Sequence, residues 1–385
     1  MSSCDVESPD PAASPLSASA VLRQRIEIRE ASEADNQSLL ALTRLTPMGG
    51  TISLRIDRDP DFFALLRLRG EGKVFVAVRG CEVIACISAA LRTAYISGVP
   101  ETVAYVADMK VHPRFSGTRV LLRLSQALEA HLRSTGIDHA FGVVADGNRR
   151  AMPLAEGRLG MPRWDHLGRF LVDQLIPSPF LTRSRKYCIA TAEATDLPAI
   201  TELLDRFHRS RQFAPQLSQD DLAKTLSASG EEPFSRMFVA RTGGSIVATL
   251  SLHDTREVKR NVLLDAPASL RCALALLRIA AAPLPGFRVP RIGHPVRVLY
   301  VRLVACEEGH WQALQALVAT ARAEAFRKRF TFLALGLHER DPLRVLVRGI
   351  PRFTFSSLAL ATSRVKPHHI ETLTQGIPFE DFALV

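Results

Sequence analysis

Residues 111–124, VHPRFSGTRVLLRL, have the side chains and spacing needed to hold an anion. The run before them, TVAYVADMKV from Thr102, alternates as a strand does. A polar loop with one glycine follows, then leucines at helical spacing: Leu121, Leu124, Leu128 and Leu132. Such a loop, turning from a strand into a helix N-terminus, aims backbone N–H groups at its contents, and the helix dipole favours negative charge there. Arg114 and Arg119 add two guanidinium groups. Phosphate-holding loops usually carry more than one small residue, whereas here Arg119 follows the lone Gly117 two positions later. Main-chain donors survive any substitution except proline, and each charge-assisted bond contributes about 1.5–3 kcal/mol, so the loop reads as functional. Asp108 and Lys110 lie two residues apart on the feeding strand and share a face by strict alternation, opposite Met109 and Val111. The helix is expected to end at STG, with Gly136 as a left-handed cap.

The elements around this loop occur twice. FVAVRGCEVIACIS (75–88) aligns without gaps on FVARTGGSIVATLS (238–251), with six identities in fourteen positions. Each copy is two apolar runs around a glycine-containing turn, the pattern of a β-hairpin. Upstream, Ala31 and Asp35 of IREASEADNQSLLAL match Ala192 and Asp196 of ATAEATDLPAITELL. Downstream, GMPRW (160–164) matches GIPRF (349–353). Three matches in one order argue for a duplicated unit. The offset grows from 163 at the hairpin to 189 at the last match, so the second copy holds 26 extra residues, placed between about Asp254 and Val296. That stretch offers an extra helix in APASLRCALALLRIAAAPLPG and a basic loop with Arg288, Arg291 and Arg297. The expected organisation is a disordered tail (1–22), a first domain (23–176), a linker of Ser, Pro and Thr (177–186) and a second domain (187–385). Strands alternating with helices in each copy imply α/β layers with mixed sheets.

The 385 residues suffice for two cores. A net charge of +10 suits an anionic ligand. The N-terminus lacks the basic and apolar regions of a secretory signal, and the longest apolar run, CALALLRIAAAPL, is too short to span a bilayer. The six cysteines form no C-x-x-C pair and no histidine cluster has metal-ligand spacing. Free thiols, no metal and a cytoplasmic setting are the expectation. No helix-turn-helix, zinc-finger or aromatic–basic platform supports nucleic-acid binding.

The loop and its surroundings resemble the GNAT superfamily of acyl-CoA N-acyltransferases. Arg114 and Gly117 take the first and fourth places of that family's Q/R-x-x-G-x-G/A loop, and Asn148, Ala151, Leu154 and Glu156 resemble its N-x-x-A-x-x-L-Y-E segment. The resemblance spans about Ile26–Ile176 and recurs weakly from Tyr187. It implies a tandem GNAT-like fold, an acetyl-CoA or other acyl-CoA donor, and an amine acceptor, either a small molecule or a peptide. It implies donor contacts from Met109, Lys110, Val111, Arg114, Phe115, Ser116, Gly117, Thr118, Arg119, Val120 and Asn148. Ala155 stands where many members carry a tyrosine acid. Tyr105 is then a candidate acid and Asp108 a candidate base, with Asp146 and Glu156 as alternatives. The second copy's junction, LVACEEGHWQAL (303–314), puts Glu307 and Glu308 where a pyrophosphate would lie and Trp311 near the place of Arg119. Repulsion there predicts one donor per chain, in the first half. An acyl-CoA sensor without turnover is the alternative reading, and an oligomer is compatible with either.

Overall fold

A computed structural model describes residues 25–385, apart from 50–51, 117–118, 150, 181–183, 228–233, 282–286 and 365–368. Among the described residues a twelve-stranded mixed sheet runs through the whole chain. Its strands, in chain order, are β1 (Ile26–Glu30), β2 (Glu71–Arg79), β3 (Glu82–Ile96), β4 (Val99–Val111), β5 (His139–Ala145) and β6 (Asp165–Leu175), then β7 (Cys188–Thr191), β8 (Met237–Thr242), β9 (Ser245–Asp254), β10 (Val298–Cys306), β11 (Phe332–His338) and β12 (Arg352–Ser363). The principal helices are α1 (Asn36–Leu45), α2 (Val120–Ser134), α3 (Leu197–Arg209), α4 (Ala268–Ala281) and α5 (Trp311–Arg327).

The order across the sheet is β1-β2-β3-β4-β5-β12-β6-β11-β10-β9-β8-β7. Read from either edge the sequence of elements is the same, with β1–β6 answering to β7–β12. Two strands are exchanged at the centre: β12 pairs with β5 and β6, while β6 pairs with β12 and β11. Both hairpins expected from the sequence form, as β2–β3 and β8–β9, each antiparallel. The long exchanged pair, Arg352–Ala361 against Leu175–Asp165, joins the halves through backbone hydrogen bonds. Nothing in the hydrophobic pattern signals this exchange, because alternation reports a strand and not its partner.

Helix α2 lies on the first half with Val120, Leu124, Leu128 and Leu132 buried, an i, i+4 stripe. Leu121, included in the stripe on sequence grounds, is half-buried. Gly136 follows the helix at φ +69°, where a side chain would be strained. Helix α5 covers the equivalent face of the second half through Leu314, Leu317, Ala321 and Ala325. Between β9 and β10 the chain adds a strand, Arg260–Asp265, and helix α4. That strand pairs with Ser53–Asp57 of the first half.

The halves meet around an aromatic core of Phe141, Phe170, Phe213 and Phe382. Phe141 and Phe213, one from each half, stack at 4.6 Å between centroids. Residues 377–385 thread into this centre. Glu380 pairs with Arg69 at 2.9 Å, Asp381 with Arg302 at 2.6 Å, and Lys259 Nζ donates to the Phe382 and Val385 carbonyl oxygens at 3.0 and 2.6 Å. Gly336 makes room for this segment: a Cβ there would lie 2.1 Å from the Phe382 ring.

Candidate active site

The site begins with a break in a ladder. Ser88 of β3 faces Ala107 of β4 and Cys86 faces Lys110, so Ile87 alone opposes both Asp108 and Met109. This is a β-bulge. Asp108 takes φ +53°, a conformation that costs a non-glycine residue about 1 kcal/mol or more. Its carboxylate compensates by accepting from Arg58 Nη1 and Nη2 at 2.9 and 2.7 Å and from Ser88 Oγ at 2.8 Å. Both ends of the ion pair are nearly buried, with side chains 8% and 5% exposed. Burial alone would raise the pKa of Asp108, but the charges of Arg58 and Lys110 outweigh it, and the carboxyl stays below its ordinary value. Burial lowers the ammonium of Lys110. The strict alternation read from the sequence does not run through this bulge. Asp108 is thus a poor candidate to accept a proton.

Tyr105, three residues upstream, is 3% exposed, with the Arg69 guanidinium 3.4 Å from its ring centroid. Burial pushes its phenol well above the usual tyrosine range, which opposes proton donation. It is also the point where two central strands part. The parallel ladder between β4 and β5 contains Ala104 with Ala140 and Tyr105 with Phe141, and ends there. Strand β4 nevertheless continues to Val111, while β5 continues along β12. The edge of β4 from Val106 onward therefore leaves the β5 ladder, and its backbone groups are the donors and acceptors an extended ligand would use.

Beyond Val111 the chain takes a short turn, with His112 Nδ1 accepting from Arg114 N at 3.2 Å. Phe115 is half-buried against the α2 layer, under the Arg79 guanidinium at 5.4 Å. Arg114, Ser116 and Arg119 are exposed, as is Met109; Lys110 and Val111 are half-buried and Val120 is 3% exposed. Gly117 and Thr118 lie outside the described residues. The first α-helical bond of α2 runs from Arg123 N to Arg119 O at 3.1 Å, and the Arg119 side chain makes no capping hydrogen bond. The first turn of a helix has N–H groups without an intrahelical partner, and this one follows a loop carrying Arg114 and Arg119. Asn148 Oδ1 accepts from Ala151 N at 3.2 Å, which starts the turn holding Leu154 and Ala155. The Ala155 carbonyl accepts from Trp164 N at 2.8 Å, and the Glu156 and Arg163 backbones form an isolated antiparallel β-bridge. Asp146 accepts from Ser356 Oγ at 2.6 Å and neighbours Arg169.

The structure thus brings Asp108, Met109, Lys110 and Val111 together at the bulge, and Arg114, Phe115, Ser116, Arg119 and Val120 at the helix entrance. Sequence reasoning missed Arg58, fifty residues from its partner and outside any repeated segment. Ser88 was visible as an identity between the two hairpins, without a role attached.

The same bulge recurs at β10, where Thr249 faces Ala305, Ser251 faces Arg302, and Leu303 takes φ +49°. Leu303 has no carboxylate. From Cys306 to Trp311 the loop has four residues, 307–310, against eight, 112–119, in the first half. Glu307 pairs with Arg206 at 2.9 Å and Tyr187 Oη lies 3.3 Å from His310 Nδ1.

Residues 41–161 match the family model for the acetyltransferase (GNAT) family. That stretch, about a third of the chain, is similar to a GNAT acetyltransferase domain. That segment includes the bulge, the loop and the Asn148 turn. Yeast (Saccharomyces cerevisiae) N-myristoyltransferase with bound myristoyl-CoA superposes with a TM-score of 0.59 at 12% identity, over 90% of this chain and 80% of that one. A GCN5-related N-acetyltransferase from Sphaerobacter thermophilus gives 0.53 at 13% identity, over 88% and 95%. At these identities the likeness concerns the fold. A search of curated protein sequences finds no match. Among the described residues no helix is long and apolar enough to cross a membrane, and no group of three His, Cys, Asp or Glu could hold a metal ion.

Proposed function

We propose that this chain is an acyl-CoA-dependent N-acyltransferase built from two GNAT-like halves, of which the first binds the donor. The observation that carries the reading is the continuity from the β4 bulge, along the freed β4 edge, to the α2 N-terminus behind Arg114 and Arg119. An extended thioester donor needs this order of contacts: backbone groups for an acyl–pantetheine arm, then N–H groups and cations for a pyrophosphate. Met109, Lys110, Val111 and Asn148 line the arm in this reading, and Arg114–Val120 hold the phosphates. Asp108 and Tyr105 shape the floor of the cleft and do not exchange protons, since one is committed to Arg58 and the other is buried beneath Arg69. The donor is acetyl-CoA or a longer acyl-CoA, and the acceptor is an amine on a small molecule or peptide.

The test is release of CoA thiol from a panel of acyl-CoAs, from acetyl to myristoyl, with amine acceptors present or omitted. Acceptor-dependent release from at least one donor is expected. The second reading, an acyl-CoA sensor, is favoured by Ala155, which offers no hydroxyl for a leaving thiolate. Micromolar binding with no release from any donor would select it, and no binding of any acyl-CoA would overturn both.

A further inference from the structure

A second, differently built cavity lies in the other half of the molecule. It has a volume of about 250 Å³, against the start of β10, the end of β9 and the end of α5. Water takes roughly 30 Å³ per molecule, so the space admits a small organic ligand. Among the described residues Arg236, Arg256, Arg297 and Lys328 line it, with Asp254 and Glu324 as the facing carboxylates. Asp254 is taken up by Arg256 at 2.6 Å. Glu324 is shared between Arg327 at 2.6 Å and Lys328 at 3.3 Å.

Arg297 is left short of partners. Its Nη2 reaches the Lys328 carbonyl at 3.3 Å, while its Nε is buried with no hydrogen-bond partner. Its guanidinium lies 4.9 Å and that of Arg256 5.9 Å from the same Phe330 ring centroid. Burial, and then repulsion from Arg256, lower the pKa of Arg297 against the attraction of Asp254, with Arg288 adding to the fall. Two guanidinium groups crowded around one aromatic ring, one of them with a buried Nε that has no partner, form an arrangement that an oxyanion completes. The remaining lining, Phe238, Leu252, Leu299 and Phe330, is apolar.

The equivalent cavity of the first half has the opposite sign. It holds about 560 Å³ beside β4 and the end of α2, with Glu71, Glu101 and Asp138 on its walls. Thr102 of β4 stands there where Arg297 stands before β10, by the register that places Ala104 and Leu299 opposite Leu91 and Asp254. The cationic lining is therefore particular to the second half. It also takes in Arg297 of the basic segment noted in the sequence.

We infer that this cavity is a binding site for a small organic phosphate, its head held by Arg256 and Arg297 and its apolar body resting on Phe330. The site is separate from the donor loop. The experiment is calorimetric titration of the full chain with phenyl phosphate at fixed low ionic strength, using inorganic phosphate for comparison. One site per chain is expected, with phenyl phosphate the tighter ligand. Arg297→Met and, independently, the exposed Arg256→Gln should each weaken it at least tenfold, while Arg114→Ala leaves it unchanged. Circular dichroism confirms that the variants fold. Unchanged affinity in folded Arg256→Gln and Arg297→Met, or a loss confined to Arg114→Ala, would overturn the assignment, as would no binding by the wild type.

Discussion

The two strand–loop–helix junctions differ where chemistry would differ and agree where geometry would. Both strands bulge opposite a single residue, Ile87 or Leu250, and both place a non-glycine residue at positive φ, Asp108 at +53° and Leu303 at +49°. The bulge is thus a property of the scaffold and needs no particular side chain. Past it the halves part. One has eight loop residues with Arg114 and Arg119; the other has four with Glu307 and Glu308. On the proposed reading, a pyrophosphate would meet cations in the first and carboxylates in the second. The same proposal makes the length and charge of the loop decide which half takes the donor, on a bulged backbone that both halves share.

The comparison breaks most sharply at Asp108. Giving the first half the second half's residue, Asp108→Leu, keeps a side chain that the bulge accepts but strands Arg58, 7% exposed, without its counter-ion. Removing one partner of a buried pair costs about 3–5 kcal/mol. The expected loss is of that size by urea unfolding, and Arg58→Met in the same chain should restore most of it. A single variant within about 1 kcal/mol of wild type would show that the pair is not what holds the bulge.

Loop charge comes next. Arg114→Glu with Arg119→Glu gives the first half the second half's sign and should weaken CoA at least a hundredfold, about 2.8 kcal/mol. Gly117→Pro should cost tenfold or more, since it removes a donor and fixes φ. Glu307→Gln with Glu308→Gln should leave one CoA per chain, because the shortened loop remains. Calorimetry reads both affinity and stoichiometry. Two sites in wild type, or a site lost at Glu307 and Glu308 and indifferent to Arg114, would reverse the assignment of the halves.

Local signals carried well from sequence to structure. The hairpins, the α2 stripe and the Gly136 cap depend on residues within a few positions of one another, and each formed. The strand exchange and the Arg58–Asp108 pair depend on partners tens to hundreds of residues away, which composition and periodicity do not encode. The bulge at Asp108 escaped the sequence reading for a related reason. One extra residue in a ladder resets the alternation, and a bulge leaves no mark when the strained residue is aspartate and not glycine. The cationic cavity was half visible: Arg297 stood out in a basic run, but Arg236, Arg256 and Lys328 came from three other segments.

The smallest expected effect compares the matched aspartates at the two first turns. Asp35 Oδ2 accepts from Ser32 N at 2.8 Å, and Asp196 Oδ2 accepts from Glu193 N at 2.9 Å, so both close the same turn. Each also meets an arginine from a strand, Arg29 at 2.7 Å and Arg241 at 2.6 Å. The hydrogen bonds from Arg29 hold Asp35 down at about 2, against 3.8 for a free carboxyl. At Asp196 burial opposes the fall first, and the Arg241 bond then carries the pKa below its ordinary value. A depressed carboxylate contributes stability that is present above about pH 4 and is lost as pH falls toward the folded-state value. Substitution by asparagine keeps the backbone acceptor and removes the charge. Asp35→Asn should therefore cost about 1–2 kcal/mol at pH 7, the lower end reflecting the exposure of Arg29, and the difference from wild type should shrink near pH 2. Asp196→Asn should show the same sign and a smaller loss. Urea unfolding of both variants at pH 7 and near pH 2 measures it, and a loss that stays constant with pH would place the effect in the turn geometry and not in the ion pair.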